Sequence, residues 1–145
     1  MLIGEYYYSI DGKGRLALPV KFREHLGKEV VVARGLEKCL WIYPKKEWEV
    51  WAEKLIKLPL AQANTRAFVR LMMSGAHNVE IDAQGRILVP ETLRQDTISG
   101  KRVAVIGLYS RIEVWDAEKW QGYQERTEQE SADIAEKLGE LGFGI

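Results

Sequence analysis

Two arginines at matching places in a repeated motif are the residues of this chain best suited to chemistry. Asp11-Gly-Lys-Gly-Arg15-Leu-Ala-Leu-Pro19 returns 71 residues later as Asp82-Ala-Gln-Gly-Arg86-Ile-Leu-Val-Pro90. Aspartate, glycine, arginine and proline are identical in the two copies, and the three residues between arginine and proline are apolar in both. Arginine carries a planar, permanently charged fork that gives two parallel hydrogen bonds to guanine O6 and N7 or to a phosphate. Lys13, Lys21, Arg23 and Arg94 fall within one hairpin or one helical turn of these arginines. The pattern predicts a basic surface in which Gly14 and Gly85 shape the turns and let another backbone come close. A second reading stays open beside it, in which Asp11 pairs with Arg15 and Asp82 with Arg86 across their own turns and merely fix them.

Other chemistries fit poorly. Two related hairpins that each present an aspartate could form a carboxylate dyad, but such dyads need a small hydroxyl residue and then glycine after the aspartate, and the chain has Asp-Gly-Lys and Asp-Ala-Gln. A calcium loop would need alternating carboxylate ligands and a terminal glutamate, which are missing. His25 and His77 have no cysteine or histidine partners at metal-ligand spacing. Neither a nucleophile elbow nor a phosphate-cradling glycine loop is present. The expectation is therefore a protein that is not an enzyme and has no metal, cofactor or small-molecule substrate.

The elements that position the motif follow from residue types. Tyr6–Ile10 and Arg15–Leu18 are β-prone runs around a glycine-rich connection and read as a tight hairpin with the motif at its tip. Pro19 then suits the first turn of a short helix that Gly27 stops. Residues 29–33 and 39–43 read as a second hairpin around Gly35. The second copy repeats this order, with strands expected at 78–81, 86–89, 102–106 and 111–115 and a short helix from Pro90. Between the copies, Trp48, Trp51, Ala52 and Leu55 recur at helical spacing, and beyond Pro59 so do Ala63, Ala67, Leu71 and Met72, which predicts an αα connector. Past Trp115 another helix is expected from Asp116, and Thr127-Glu-Gln-Glu130 has the form of a capping box that would start a last, amphipathic one.

The expected class is α+β with a mainly β core, organised as one pseudo-symmetric domain over residues 1–145. Its parts are a first repeat at 5–48, the connector at 49–75, a second repeat at 77–120 and an acidic helical tail at 121–145. Each repeat is too short to bury an adequate core alone, so the two must pack on each other.

Composition narrows the partners. No apolar run approaches the ~18 residues of a membrane span, and Met1–Glu5 lacks the features of a secretory signal, so a cytoplasmic protein without a membrane partner is expected. The single cysteine, Cys39, is flanked by Leu40, Trp41 and Ile42 and reads as a small buried hydrophobe. Net charge is zero, yet residues 1–123 hold 19 Lys/Arg against 15 Asp/Glu while residues 124–145 hold 2 against 6. A polyanionic partner is thus compatible with the neutral total, since attraction depends on the local patch. Trp48 and Trp51 sit on a helix too long for a small barrel to cover, which predicts self-association through aromatic anchors.

The doubled Asp-x-x-Gly-Arg-x-x-x-Pro motif, the paired β-turn-β units and the αα connector together resemble the MraZ family of the AbrB/SpoVT-like superfamily. The resemblance covers essentially the whole chain, and its Asp-x-x-x-Arg motif is matched at Asp11 with Arg15 and at Asp82 with Arg86. It implies a swapped-hairpin β-barrel built from both repeats, a ring-shaped homo-oligomer, and sequence-specific binding of double-stranded DNA at promoter direct repeats upstream of the division and cell-wall gene cluster, hence nucleoid association. The same superfamily holds antitoxins, which keeps a second role open: a protein-interaction module whose acidic tail from Thr127 binds a partner.

Overall fold

Strand alternation divides the buried side chains between two faces of one sheet. A computed structural model describes all of residues 1–145. The chain runs β1 (Leu2–Ser9), β2 (Arg15–Ala17), α1 (Val20–Leu26), β3 (Glu29–Arg34), β4 (Leu40–Pro44), α2 (Lys45–Ile56) and α3 (Ala63–Ser74). It continues as β5 (His77–Glu80), β6 (Arg86–Leu88), α4 (Glu91–Thr97), β7 (Arg102–Tyr109), β8 (Ile112–Asp116), α5 (Ala117–Gln129) and α6 (Ser131–Glu140). Six strands form an antiparallel sheet in the order β1-β7-β8-β4-β3-β5, and β2 and β6 form a separate two-stranded ribbon.

Val30, Val32, Leu40, Ile42, Val103, Val105, Ile112 and Val114 point to one face, where Leu16 and Ile87 of the ribbon, Phe22 of α1 and Leu93 of α4 close over them. Their neighbours in sequence, Trp41, Tyr43, Ala104, Ile106 and Trp115, point to the other face and meet Leu55 of α2, Met72 of α3 and the partly buried Trp120 and Tyr123 of α5. Prolines mark three of the strand-to-helix switches. Pro19, Pro44 and Pro90 hold φ at −53°, −55° and −54° ahead of α1, α2 and α4, a value that already suits a helix entry where no N–H is needed.

Four expectations need correction. The arms of the expected motif hairpins do not pair with each other along their length: β1 pairs with β7, β5 with β3, and β2 with β6. Each copy's short second arm instead pairs with its counterpart from the other copy, where Leu16 and Ile87 pack together over the shared core. The six-stranded sheet is not closed into a barrel, because β1 and β5 remain its two ends. On α3 the inward face is Phe68, Val69 and Met72, while Ala63, Ala67 and Leu71 are exposed, because the bulky Phe68 and Val69 take the sheet-facing side. The capping box does not form, since α5 runs through Thr127 to Gln129 and the Thr127 hydroxyl donates back to the Tyr123 carbonyl at 2.9 Å.

Trp48 packs edge-on to Tyr43 at 5.6 Å and Trp51 to Trp41 at 6.1 Å, and both side chains stay half-buried within the chain. Cys39 is buried with its thiol against the Leu36 carbonyl at 3.0 Å, and burial pushes its pKa up to about 12. The chain has no helix long and apolar enough to cross a membrane.

Candidate functional site

Each copy of the motif builds the same turn from the aspartate outward. In the first, Asp11 Oδ1 accepts the backbone N–H groups of Lys13 at 3.0 Å and Arg15 at 2.9 Å, and Oδ2 accepts Arg15 Nε at 2.7 Å. In the second, Asp82 Oδ1 accepts from Gln84 and Arg86 at 2.9 Å each, and Oδ2 accepts Arg86 Nε at 3.0 Å. The backbone closes both loops, with Gly14 N–H on the Asp11 carbonyl and Gly85 N–H on that of Asp82. The glycine is needed because the turn passes through φ of +89° at Gly14 and +77° at Gly85, where a β-carbon is strained.

These bonds settle the ionisation of the aspartates. The Arg15 and Lys13 backbone N–H groups and the Arg15 guanidinium hold the Asp11 carboxyl down at about 2, and the equivalent donors lower Asp82. A dyad sharing a proton would raise one of the two, and each carboxylate is instead committed to its own turn. The pairing across the turn expected as the second reading of the sequence is therefore real. It leaves the arginines accessible: the side chains of Arg15 and Arg86 are 40% and 33% exposed, and each uses Nε for its aspartate while the two terminal nitrogens have no partner in the protein.

Strand pairing brings the two arginines together. In the β2–β6 ribbon Arg15 lies opposite Leu88, Leu16 opposite Ile87 and Ala17 opposite Arg86, and the ladder is extended by Leu18 N–H on Gly85 O and Val89 N–H on Gly14 O. Alternation sends Leu16 and Ile87 into the core and leaves Arg15, Ala17, Arg86 and Leu88 on the outward face. Arg15 and Arg86 are thus diagonal neighbours on one ribbon, not the tips of two independent hairpins. The pairing of β2 with β6, which makes them neighbours, could not be read from either copy alone.

The remaining basic residues divide into two kinds. Lys13 and Lys21 are exposed at the edge of the turn and on α1. Arg23 and Arg94 each lean on the opposite copy's turn: Arg23 lies against Gly85 while its Nε donates to Leu18 O of its own copy at 3.0 Å, and Arg94 donates from Nη1 to Gly12 O at 3.4 Å and lies against Gly14. No group of three His, Cys, Asp or Glu side chains is arranged to hold a metal ion.

The family model described as "MraZ protein, putative antitoxin-like" matches the chain twice, over residues 1–71 and 72–140. Among curated relatives, a protein of Clostridium acetobutylicum named "Transcriptional regulator MraZ" is 49% identical over 143 residues, which cover 99% of this chain and all of the relative. Proteins of the same name from Clostridium tetani and Alkaliphilus metalliredigens are each 46% identical over the same length and coverage.

Proposed function

The chain belongs to the MraZ family, and from that premise we propose that it is a DNA-binding transcriptional regulator, not an enzyme, that reads duplex DNA with the outward face of its β2–β6 ribbon. One observation carries the reading. Arg15 and Arg86 stand diagonally on that face, each locked at Nε by an aspartate and each with its terminal nitrogens free. A two-stranded ribbon fits the major groove, and an arginine pre-oriented by a carboxylate loses little freedom when it meets a guanine edge or a phosphate. Lys13 and Lys21 add phosphate contacts, and Arg23 and Arg94 hold the turns in shape while contributing positive charge beside them.

The exchange of partners between copies, with β2 on β6 and the long arms on strands of the opposite repeat or the central sheet, is the support for an AbrB-like swapped-hairpin arrangement, in which the ribbon bridges the open side of the sheet. A ring-shaped homo-oligomer acting in the cytoplasm at the nucleoid completes the proposal. One ribbon offers few base contacts, and linking several on successive direct repeats upstream of the division and cell-wall genes raises affinity through effective concentration. A closed ring cannot lay every ribbon on straight DNA, so engagement of many subunits bends the duplex or leaves some ribbons idle. The test is selection from a random duplex library. The chain is expected to enrich a motif containing guanine, with affinity that falls steeply with salt; enrichment of nothing above the starting library overturns the reading.

A second reading, the antitoxin-type interaction module, is favoured by the tail. α6 buries none of its residues, and Leu141, Phe143 and Ile145 beyond it are exposed beside its carboxylates.

A further inference from the structure

The ribbon's two halves are built alike but not dressed alike. Ala17 and Leu88 occupy equivalent places in the two copies, each two residues after its arginine and each across the ladder from the other copy's arginine. Ala17 adds almost no surface. Leu88 is 56% exposed, with a side chain that contributes nothing to the core beneath, where Leu16 and Ile87 are buried. The phosphate-contacting positions differ in the same way, since Lys13 and Lys21 of the first copy stand where the second has Gln84 and Thr92. An isobutyl group beside a guanidinium on an outward face has one natural complement on a duplex: thymine, whose 5-methyl group is the apolar feature of the major-groove edge.

We infer that Leu88 is a specificity-determining residue that packs on a thymine methyl next to the base read by Arg15, and that this contact makes the recognised element asymmetric. The inference rests on the ribbon being the DNA-reading face. With alanine at both places, the pseudo-twofold ribbon would present equivalent arginine-alanine pairs to the bases, and only the phosphate contacts, which carry no sequence information, would still differ between its halves. With leucine on one side only, the subunit has a preferred direction along the DNA, as a series of direct repeats requires of every subunit.

The experiment compares the full-length protein with Leu88→Ala, Leu88→Gln and Leu88→Met in selections from a random duplex library. The best wild-type duplex is then remade with each thymine in turn replaced by deoxyuridine, which removes only the methyl. The wild type is expected to enrich thymine at one position beside its guanine and to lose roughly three- to fivefold in affinity when that single thymine becomes deoxyuridine, the size expected for one methyl withdrawn from water. Leu88→Ala and Leu88→Gln should enrich a more palindromic motif without that thymine and be indifferent to the substitution, and Leu88→Met should keep it. If the wild type is itself indifferent to every deoxyuridine, or if Leu88→Ala and Leu88→Gln select the unchanged motif, the inference is overturned while the DNA-reading ribbon stands. It is overturned equally if these variants change only the subunit number in light scattering, which would make Leu88 a contact between copies. If the wild type selects no motif, the function itself has failed, and this inference with it.

Discussion

The guanidinium of Arg23, on α1 of the first copy, lies against the backbone of Gly85 in the turn of the second, so closely that a β-carbon there has no space. Arg94 repeats the relation in the other direction, reaching from α4 to the Gly12 carbonyl and filling the space beside Gly14. Each turn is thus shaped from inside by its own aspartate and from outside by the other copy's arginine. This reciprocity ties the two repeats together at the place where the outward arginines are presented.

Gly85→Ala should therefore destabilise the fold on two counts. A left-handed backbone costs an alanine about 1–2 kcal/mol, and the new methyl must displace Arg23. Thermal unfolding should show a lowered midpoint. Adding Arg23→Ala should recover part of it, so that the double variant is more stable than the sum of the two single losses; strict additivity would show that the two residues do not press on each other.

Acid should loosen the turns, and neutral pH should not. The Asp11 carboxyl is held at about 2 against an ordinary 3.8, and Asp82 is lowered as well. A lowered folded-state value stabilises the fold fully above the ordinary value, and that contribution is lost as pH falls from about 4 towards 2. Urea unfolding should show this acid dependence, with no change arising from these groups between pH 5 and 8. Asp11→Asn should flatten part of it.

The ribbon depends on its inner face. Leu16 is fully buried in the larger core, between the sheet and the ribbon's outward face. Leu16→Ala should cost about 2–5 kcal/mol in chemical denaturation. Ala17→Ser on the opposite face should leave the denaturation midpoint nearly unchanged.

Much of this was written legibly in the sequence. The 71-residue repeat, the short helices after Pro19 and Pro90, the β3–β4 and β7–β8 hairpins and the inward face of α2 follow from local spacing, because glycine, proline and apolar periodicity act within a few residues. Strand partners do not. That β2 pairs with β6 across roughly 70 residues is decided by packing of Leu16 and Ile87 over the shared core, and nothing in either motif records it. The same gap hid the roles of Arg23 and Arg94, whose sequence neighbours are their own turns and whose spatial neighbours are the other copy's. On α3, periodicity placed the face one residue away from the true one, since spacing marks an apolar stripe without saying which edge of it meets the sheet.

Removal of residues 131–145 separates the two functional readings. Because α6 buries none of its residues, the truncated chain should fold and bind selected DNA with unchanged affinity. Loss of DNA binding on truncation would make the tail part of the reading device, whereas under the interaction-module view the same truncation abolishes capture of a protein partner.

The most direct measurement is fluorescence anisotropy of the selected duplex with the wild type, Arg15→Ala and Arg86→Ala, each checked by light scattering for unchanged assembly. Each substitution should weaken binding by about 1–3 kcal/mol, roughly 5- to 150-fold, with subunit number preserved. Full affinity in both variants would contradict the claim that the outward arginines of the β2–β6 ribbon read the DNA.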